Sequence, residues 1–263
     1  CIDNNIDGHY VEPYAGGASV ALFLLMENKM GKITINDFDK SIYAFWYSVL
    51  NHTNKICNLI RNTEVTVENW KKQKEIQKNK SEASLLELGF STFFLNRTNR
   101  SGIINAGVIG GIEQKGNYKI DCRFNKKDLI QRIKEIARYK DRIILENVDA
   151  VELVKKIKKE SNDKNTIFYF DPPYYLKGPG LYMSSYKDSD HKKVAKEIAK
   201  IKKVHWIVSY DNTNEIIDIY QWVKNKFSFT LMHTAHTPRS GKEILFFSDS
   251  LKNIEFDLIK NNG

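Results

Sequence analysis

Short apolar runs closed by polar turns recur along the chain and alternate with longer stretches of helical period. In "YVEPYAGGASVALFLLMENK" a strand-like run ends near Glu12, a glycine loop follows, and then an apolar helix. "KITINDFDKSIYAFWYSVLN" repeats that order: Ile33 and Ile35 alternate as in a strand, Asn36 to Asp39 form a loop, and Ile42, Phe45, Trp46 and Val49 share one helical face. From about 53 to 140 the pattern changes to charged helical segments and then to a glycine-rich stretch, "NRSGIINAGVIGGIEQKGNYKIDCRFN", with hairpin-like turn signals. Alternation then resumes with "RIILENVD" before a basic helix, "TIFYFDPPYY", a helix from about 189 to 203, and "VHWIVSYDN" before a helix containing "NEIIDIYQWV". "FTLMHTAH" and "KEILFFSD" come last and predict an antiparallel pair at a sheet edge.

Strands alternating with helices predict an α/β fold with a doubly wound, mainly parallel sheet, interrupted by an inserted module. The expected division is 1–52 and 143–263 for the sheet domain and 53–142 for the insert. A chain of 263 residues is long enough for this arrangement without disulfides. Cys1, Cys57 and Cys122 are far apart and form no CxxC pair, which points to a reducing cytosol and away from a cysteine metal site. No apolar run approaches the roughly 20 residues that span a bilayer, so the chain reads as soluble and without a membrane partner.

Charge adds a polarity to this layout. Residues 51–145 hold nineteen Lys and Arg against ten Asp and Glu, whereas residues 1–50 hold three against six. A basic excess confined to the middle is the footprint expected for a polyanion partner, although a lysine-studded solvated helix produces the same count.

Ligands of open α/β sheets bind beyond the carboxyl ends of the strands. Three acids fall there: Glu12, Asp37 and Asp171. Gly16 and Gly17 would let a ligand approach the backbone closely, but an acid precedes the loop and no "GxxxxGK[ST]" is present, which disfavours a nucleoside triphosphate. A ligand with a positive centre and a ribose suits the residues better, with Asp37 placed to accept hydrogen bonds from ribose hydroxyls. Taken alone, "EPYAGG" reads equally as a tight strand-to-helix turn. "DPPY" is more specific, because proline cannot donate to a strand ladder and the "TIFYF" strand must stop at Asp171, leaving a stiff loop.

In that order, "YVEPYAGGASV", "INDFD", "FFLNRTNRSGI" and "FDPPYY" resemble the Dam-like group of DNA adenine methyltransferases, over nearly the whole chain. The resemblance implies a Rossmann-like S-adenosylmethionine-dependent methyltransferase fold with an inserted helical and hairpin target-recognition domain. It also implies methyl transfer to the exocyclic amine of adenine in double-stranded DNA, with S-adenosylhomocysteine as product and a bacterial, cytoplasmic setting. Such an enzyme works beside a cognate restriction endonuclease or acts alone. An exocyclic purine amine is a poor nucleophile because its lone pair is delocalised; acceptance of its two N–H bonds by the Asp171 carboxylate and the Pro172 carbonyl would turn that lone pair toward a sulfonium methyl. Pro172 and Pro173 would hold the acceptors rigidly, and Tyr174 would stack on a base flipped out of the duplex.

By the same resemblance Tyr14, Ala15, Gly16, Gly17, Ala18 and Ser19 form the methionine-side loop of the cofactor, and Glu12 and Pro13 also bind the cofactor. Asp37 binds its ribose, Phe38 next to it and Asp171 also belong to the cofactor site, and Asp149 lies near its adenine or else caps a helix. In the insert Arg97, Asn99, Arg100, Ser101, Ile103 and Asn105 match the DNA-contacting hairpin, and Arg123 and Lys126 a phosphate-contacting segment; Asn96 and Arg97 are equally readable as anchors of the hairpin. Arg100 stands where relatives carry an aromatic, and arginine can read guanine or grip phosphate. Phe93, Phe94 and Leu95 read as core. The group's Gly-Gly-Lys element ahead of the first motif has no match in the ten residues present here; either it lies outside this sequence, the expectation that the start at Cys1 favours, or the protein binds cofactor poorly. Tyr186, Asp190 and His191 could order a loop over the base, with a helix cap as the simpler account of Asp190; Ser209 and Asp211 would wall the pocket, and Arg239 and Lys242 could touch phosphate. His233 and His236 are spaced HxxH without an acid or cysteine cluster, so no metal site is expected. Rival readings keep the chemistry but act on RNA or on the N4 amine of cytosine, or make the chain a catalytically silent nucleic-acid-binding subunit.

Overall fold

The computed structural model describes residues 1–160, 164–175, 186–233 and 239–252, with the side chains of Ile2, Glu160, 231–233, Arg239 and Ser240 left out. Seven strands among these residues form one sheet in the order β3-β2-β1-β4-β5-β7-β6. They are β1 (His9–Glu12), β2 (Lys32–Asn36), β3 (Ile143–Glu146), β4 (Thr166–Phe170), β5 (His205–Asp211), β6 (Lys226–His233) and β7 (Arg239–Phe247). β1 to β5 pair in parallel, while β7 runs antiparallel to both β5 and β6. The edge pair expected from "FTLMHTAH" and "KEILFFSD" is therefore present, and β4 stops immediately before Asp171.

Along the chain the sheet grows outward from β1 through β2 to β3, then in the other direction from β4 through β5. The reversal falls between β1 and β4, which pair directly with Val11 opposite Phe168. A crevice opens at such a point because the connections leaving the two strands diverge to opposite faces. Glu12 ends β1 and Asp171 follows β4, so both acids stand at the carboxyl ends of these paired strands.

Alternation along each strand sorts residues between two cores. On one face Tyr10, Ile33, Ile35 and Ile167 pack with α1 (Ser19–Met26), α2 (Lys40–Asn51), α3 (Thr53–Asn62), α5 (Leu85–Thr98) and α6 (Lys126–Ala137). On the other, Val11, Phe168, Val208 and Phe246 pack with α7 (Ala150–Glu160), α8 (Asp188–Ile198) and α9 (Asn214–Ile219). Phe93, Phe94 and Leu95 are buried, as their sequence context suggests, and α5 leans on α2, so the helices between 53 and 142 share one core with the sheet domain. α4 (Val67–Lys78) adds a polar seam: buried Gln77 accepts from the Ser41 hydroxyl and donates to Ser91 and Thr92, joining α2, α4 and α5. No helix among the described residues is long and apolar enough to cross a membrane.

Candidate active site

The loop after β1 is built to stay open. Gly16 adopts φ +46°, where a side chain is strained, and a Cβ at Gly16 or Gly17 would meet nothing within 4 Å. The loop is pinned from outside the opening: Ala15 N–H donates to the Asn36 carbonyl at 2.8 Å, and the Trp46 indole donates to the Gly16 carbonyl at 2.9 Å. Asp37, just past β2, accepts from Gly16 N–H at 3.0 Å and from Asp39 N–H at 2.9 Å. Burial still pushes the Asp37 carboxyl up to about 6 against those two hydrogen bonds. Beside it the Phe38 ring is 66% exposed, an apolar surface at the rim.

Glu12 is 4% exposed, and burial followed by the charge of Asp171 pushes its carboxyl up to about 8. One of its oxygens is buried with no hydrogen-bond partner. An orphaned buried acid of this kind fits a cationic group such as the sulfonium or ammonium of S-adenosylmethionine.

Across the crevice the DPPYY corner is clamped from β5 and β7. The Ser209 hydroxyl donates to the Asp171 carboxylate at 2.7 Å, and Asp211 accepts from Tyr175 N–H at 2.9 Å. The Tyr174 hydroxyl donates to Glu243 at 2.9 Å. Pro172 and Pro173 are buried, whereas Asp171 remains exposed just past the end of β4. Desolvation by the surrounding protein raises the Asp171 carboxyl; the Ser209 bond opposes the rise and the Glu243 charge adds to it. Behind the corner Tyr14 and Tyr186 share a 3.0 Å hydroxyl contact, and buried His191 bonds the Tyr210 hydroxyl at 2.8 Å.

The structure thus brings Glu12, the loop of Tyr14 to Ser19, Asp37 and Asp171 to one crevice. Asp149 is exposed at the start of α7 and accepts from Val151 N–H at 2.9 Å, the geometry of a helix cap. Asp190 likewise accepts from Lys187 N–H at 3.0 Å and closes the start of α8. His236 and the tip 234–238 lie outside the described residues, as does the side chain of Arg239.

In the insert one antiparallel bridge, Asn99 with Val108, closes the hairpin-like stretch, and side chains do the rest. Asn99 is fully buried, donates to the Ile103 and Ile104 carbonyls at 2.8 Å each, and accepts from the Trp70 indole at 2.6 Å. Arg123 donates to the Asn96 and Asn99 carbonyls at 2.7 Å, and Lys126 to Arg61 and Thr63 carbonyls. Arg97 is half-buried, with its charge disfavoured by burial and by Arg123 and Arg132. Arg100, Ser101 and Asn105 are exposed at the turn and Ile103 is half-buried beneath them. Glu243 was not among the residues singled out from sequence, since within "KEILFF" it reads as an ordinary polar strand position.

A mainly parallel seven-stranded sheet of this order, reversing between β1 and β4 and covered by helices on both faces, is a Rossmann-like α/β fold. The chain belongs to the D12 class N6 adenine-specific DNA methyltransferase family, whose model matches residues 1–237. Among curated proteins it is similar to Type II methyltransferase M.MjaIII of Methanocaldococcus jannaschii, 24% identical and covering 74% of this chain and 70% of that one. Among solved structures it is similar to the rRNA methyltransferase aviRa from Streptomyces viridochromogenes, 9% identical and covering 92% of this chain and 76% of that one. The TM-score of that match is 0.35, too loose to bear on substrate. The protein is an enzyme that methylates the N6 amine of adenine in DNA, and membership of a methyltransferase family implies S-adenosylmethionine as the methyl source.

Proposed function

We propose that the crevice between β1 and β4 is where the methyl group is transferred, and that the substrate is a target adenine flipped out of double-stranded DNA. The observation that carries this reading is the juxtaposition across paired strands of an open glycine loop with an orphaned buried acid and an exposed, proline-stiffened aspartate. Glu12 and the loop of Tyr14 to Ser19 would hold the methionine end of the cofactor, Asp37 its ribose and Phe38 its adenine; bound there, the cofactor supplies a methyl on a sulfonium.

Asp171 and the Pro172 carbonyl would accept the two N–H bonds of the adenine amine, freeing its lone pair as the nucleophile without prior proton abstraction; the surplus proton on the amine would leave to solvent after transfer, with S-adenosylhomocysteine as the other product. Preorganisation of both acceptors on a stiff corner lowers the cost of reaching that geometry. Tyr174 provides the platform for the base. The insert meets the duplex through Arg100, Ser101 and Asn105, with Asn99 and Arg123 shaping the turn that presents them and Lys126 tying the start of α6 to the end of α3. The name of the M. jannaschii relative favours a Type II restriction–modification role, with a cognate endonuclease as partner, and activity on DNA fits the cytoplasm.

Incubating the protein with plasmid DNA and labelled S-adenosylmethionine, then mapping the modified bases, tests the reading. Label is expected at adenines of one short sequence and is expected to fall by roughly 10²–10³ or more in Asp171→Ala. Label on RNA or on cytosine would overturn it.

A further inference from the structure

We propose that Glu243 is a positioning residue for methyl transfer, fixing the Tyr174 hydroxyl and thereby the ring on which the target base rests. The proposal rests on the reading of Tyr174 as the base platform.

Glu243 lies on β7, the strand inserted antiparallel between β5 and β6, and is 7% exposed. A carboxyl kept inside a sheet is costly to desolvate unless it is hydrogen-bonded, and Glu243 accepts from the Tyr174 hydroxyl. Its register partner on β5 is Asp211. Paired residues of an antiparallel ladder point to one face, and residues two apart along a strand do the same, so Ser209, Asp211 and Glu243 project together. Each holds a different part of the DPPYY corner: Ser209 the Asp171 carboxylate at 2.7 Å, Asp211 the Tyr175 N–H at 2.9 Å, and Glu243 the Tyr174 hydroxyl at 2.9 Å. Two of these bonds locate the backbone and the acceptor; the third is made by the ring's own hydroxyl. A phenol tethered at its far end by a charge-assisted hydrogen bond loses the freedom to swing about its bonds to the backbone, so its plane is set before a base arrives.

The test compares Glu243→Ala, Glu243→Gln, Tyr174→Phe, Tyr174→Ala and the double variant Tyr174→Phe/Glu243→Ala, using a duplex built on the mapped site. Rates are read under single turnover, and stacking is read from 2-aminopurine emission at the target position. Tyr174→Phe and Glu243→Ala are each expected to slow transfer by about tenfold and to raise the emission, as loss of a charge-assisted hydrogen bond would. The double variant is expected to be no slower than the worse single within about twofold, because both changes remove the same bond. Glu243→Gln, whose amide oxygen can still accept, is expected to recover to within about threefold of the parent. If Glu243→Ala does not fold, Tyr174→Phe and Glu243→Gln carry the same comparison. Multiplying effects in the double variant would overturn the proposal, as would parent-like behaviour of both Tyr174→Phe and Glu243→Ala while Tyr174→Ala is slow. A parent-like Tyr174→Ala would instead remove the base-platform reading itself.

Discussion

The crevice and the insert turn use the same kinds of residue in opposite ways. At the strand ends, polar groups keep hydrogen-bonding capacity in reserve: a Glu12 oxygen is buried without a partner and Asp171 remains exposed. In the insert, Asn99, Arg123 and Lys126 bond to backbone carbonyls and hold the fold, leaving Arg100, Ser101 and Asn105 at the surface. A polar residue in a family motif thus signals function where its chemistry is left unsatisfied by the fold, and structure where the fold already satisfies it.

Substitutions should therefore split by sign. Glu12→Gln is expected to have the largest effect on stability, in the favourable direction. A carboxyl whose folded pKa is about 8, against an ordinary value of 4.5, costs nothing below about pH 4.5, and stability then drains away as pH rises toward 8. The amide lacks that slope, so the variant should gain a few kcal/mol over the parent at pH 8–9 and almost nothing at pH 4.5, measured by chemical denaturation across pH. Its affinity for S-adenosylmethionine should fall. Equal stability of the two proteins at all pH values would break the contrast from the crevice side.

Asn99→Ala should act in the opposite direction, losing about 2–3 kcal/mol because two carbonyls and the Trp70 indole lose their partner together. Thermal or denaturant unfolding reads this directly. Arg100→Ala should leave stability unchanged and weaken discrimination among DNA sequences by about 1–3 kcal/mol if the guanidinium reads a base, or lower only the salt slope of binding if it grips phosphate. Lys126→Ala should be the mildest, about 1 kcal/mol of stability, with no change in the salt dependence of DNA binding.

Most of the sheet was legible in the sequence because each strand carries a local signal: the alternation of Ile33 and Ile35, the stop imposed by Pro172, the edge pair ending in "LFFSD". The acids at the strand ends were legible for the same reason, since their place follows from where the strands stop. What stayed hidden depends on contacts distant in sequence. Glu243 reaches Tyr174 across 69 residues only through the β5–β7 register, and the burial of Asn99 is set by Trp70 and by carbonyls of a turn with no periodic pattern. The division into domains at 52 and 142 also left out a packing fact, because α2 and α5 on either side of the first boundary share one core.

The role of Asp171 as an acceptor is tested most directly by comparing Asp171→Asn and Asp171→Ala in a single-turnover methylation of a duplex carrying the mapped adenine, with folding checked by thermal unfolding. An acceptor that aligns the amine predicts that Asn, which keeps a carbonyl oxygen, retains measurable transfer while Ala loses it by roughly 10²–10³. Transfer by a folded Asp171→Ala protein at near the parent rate would contradict the account.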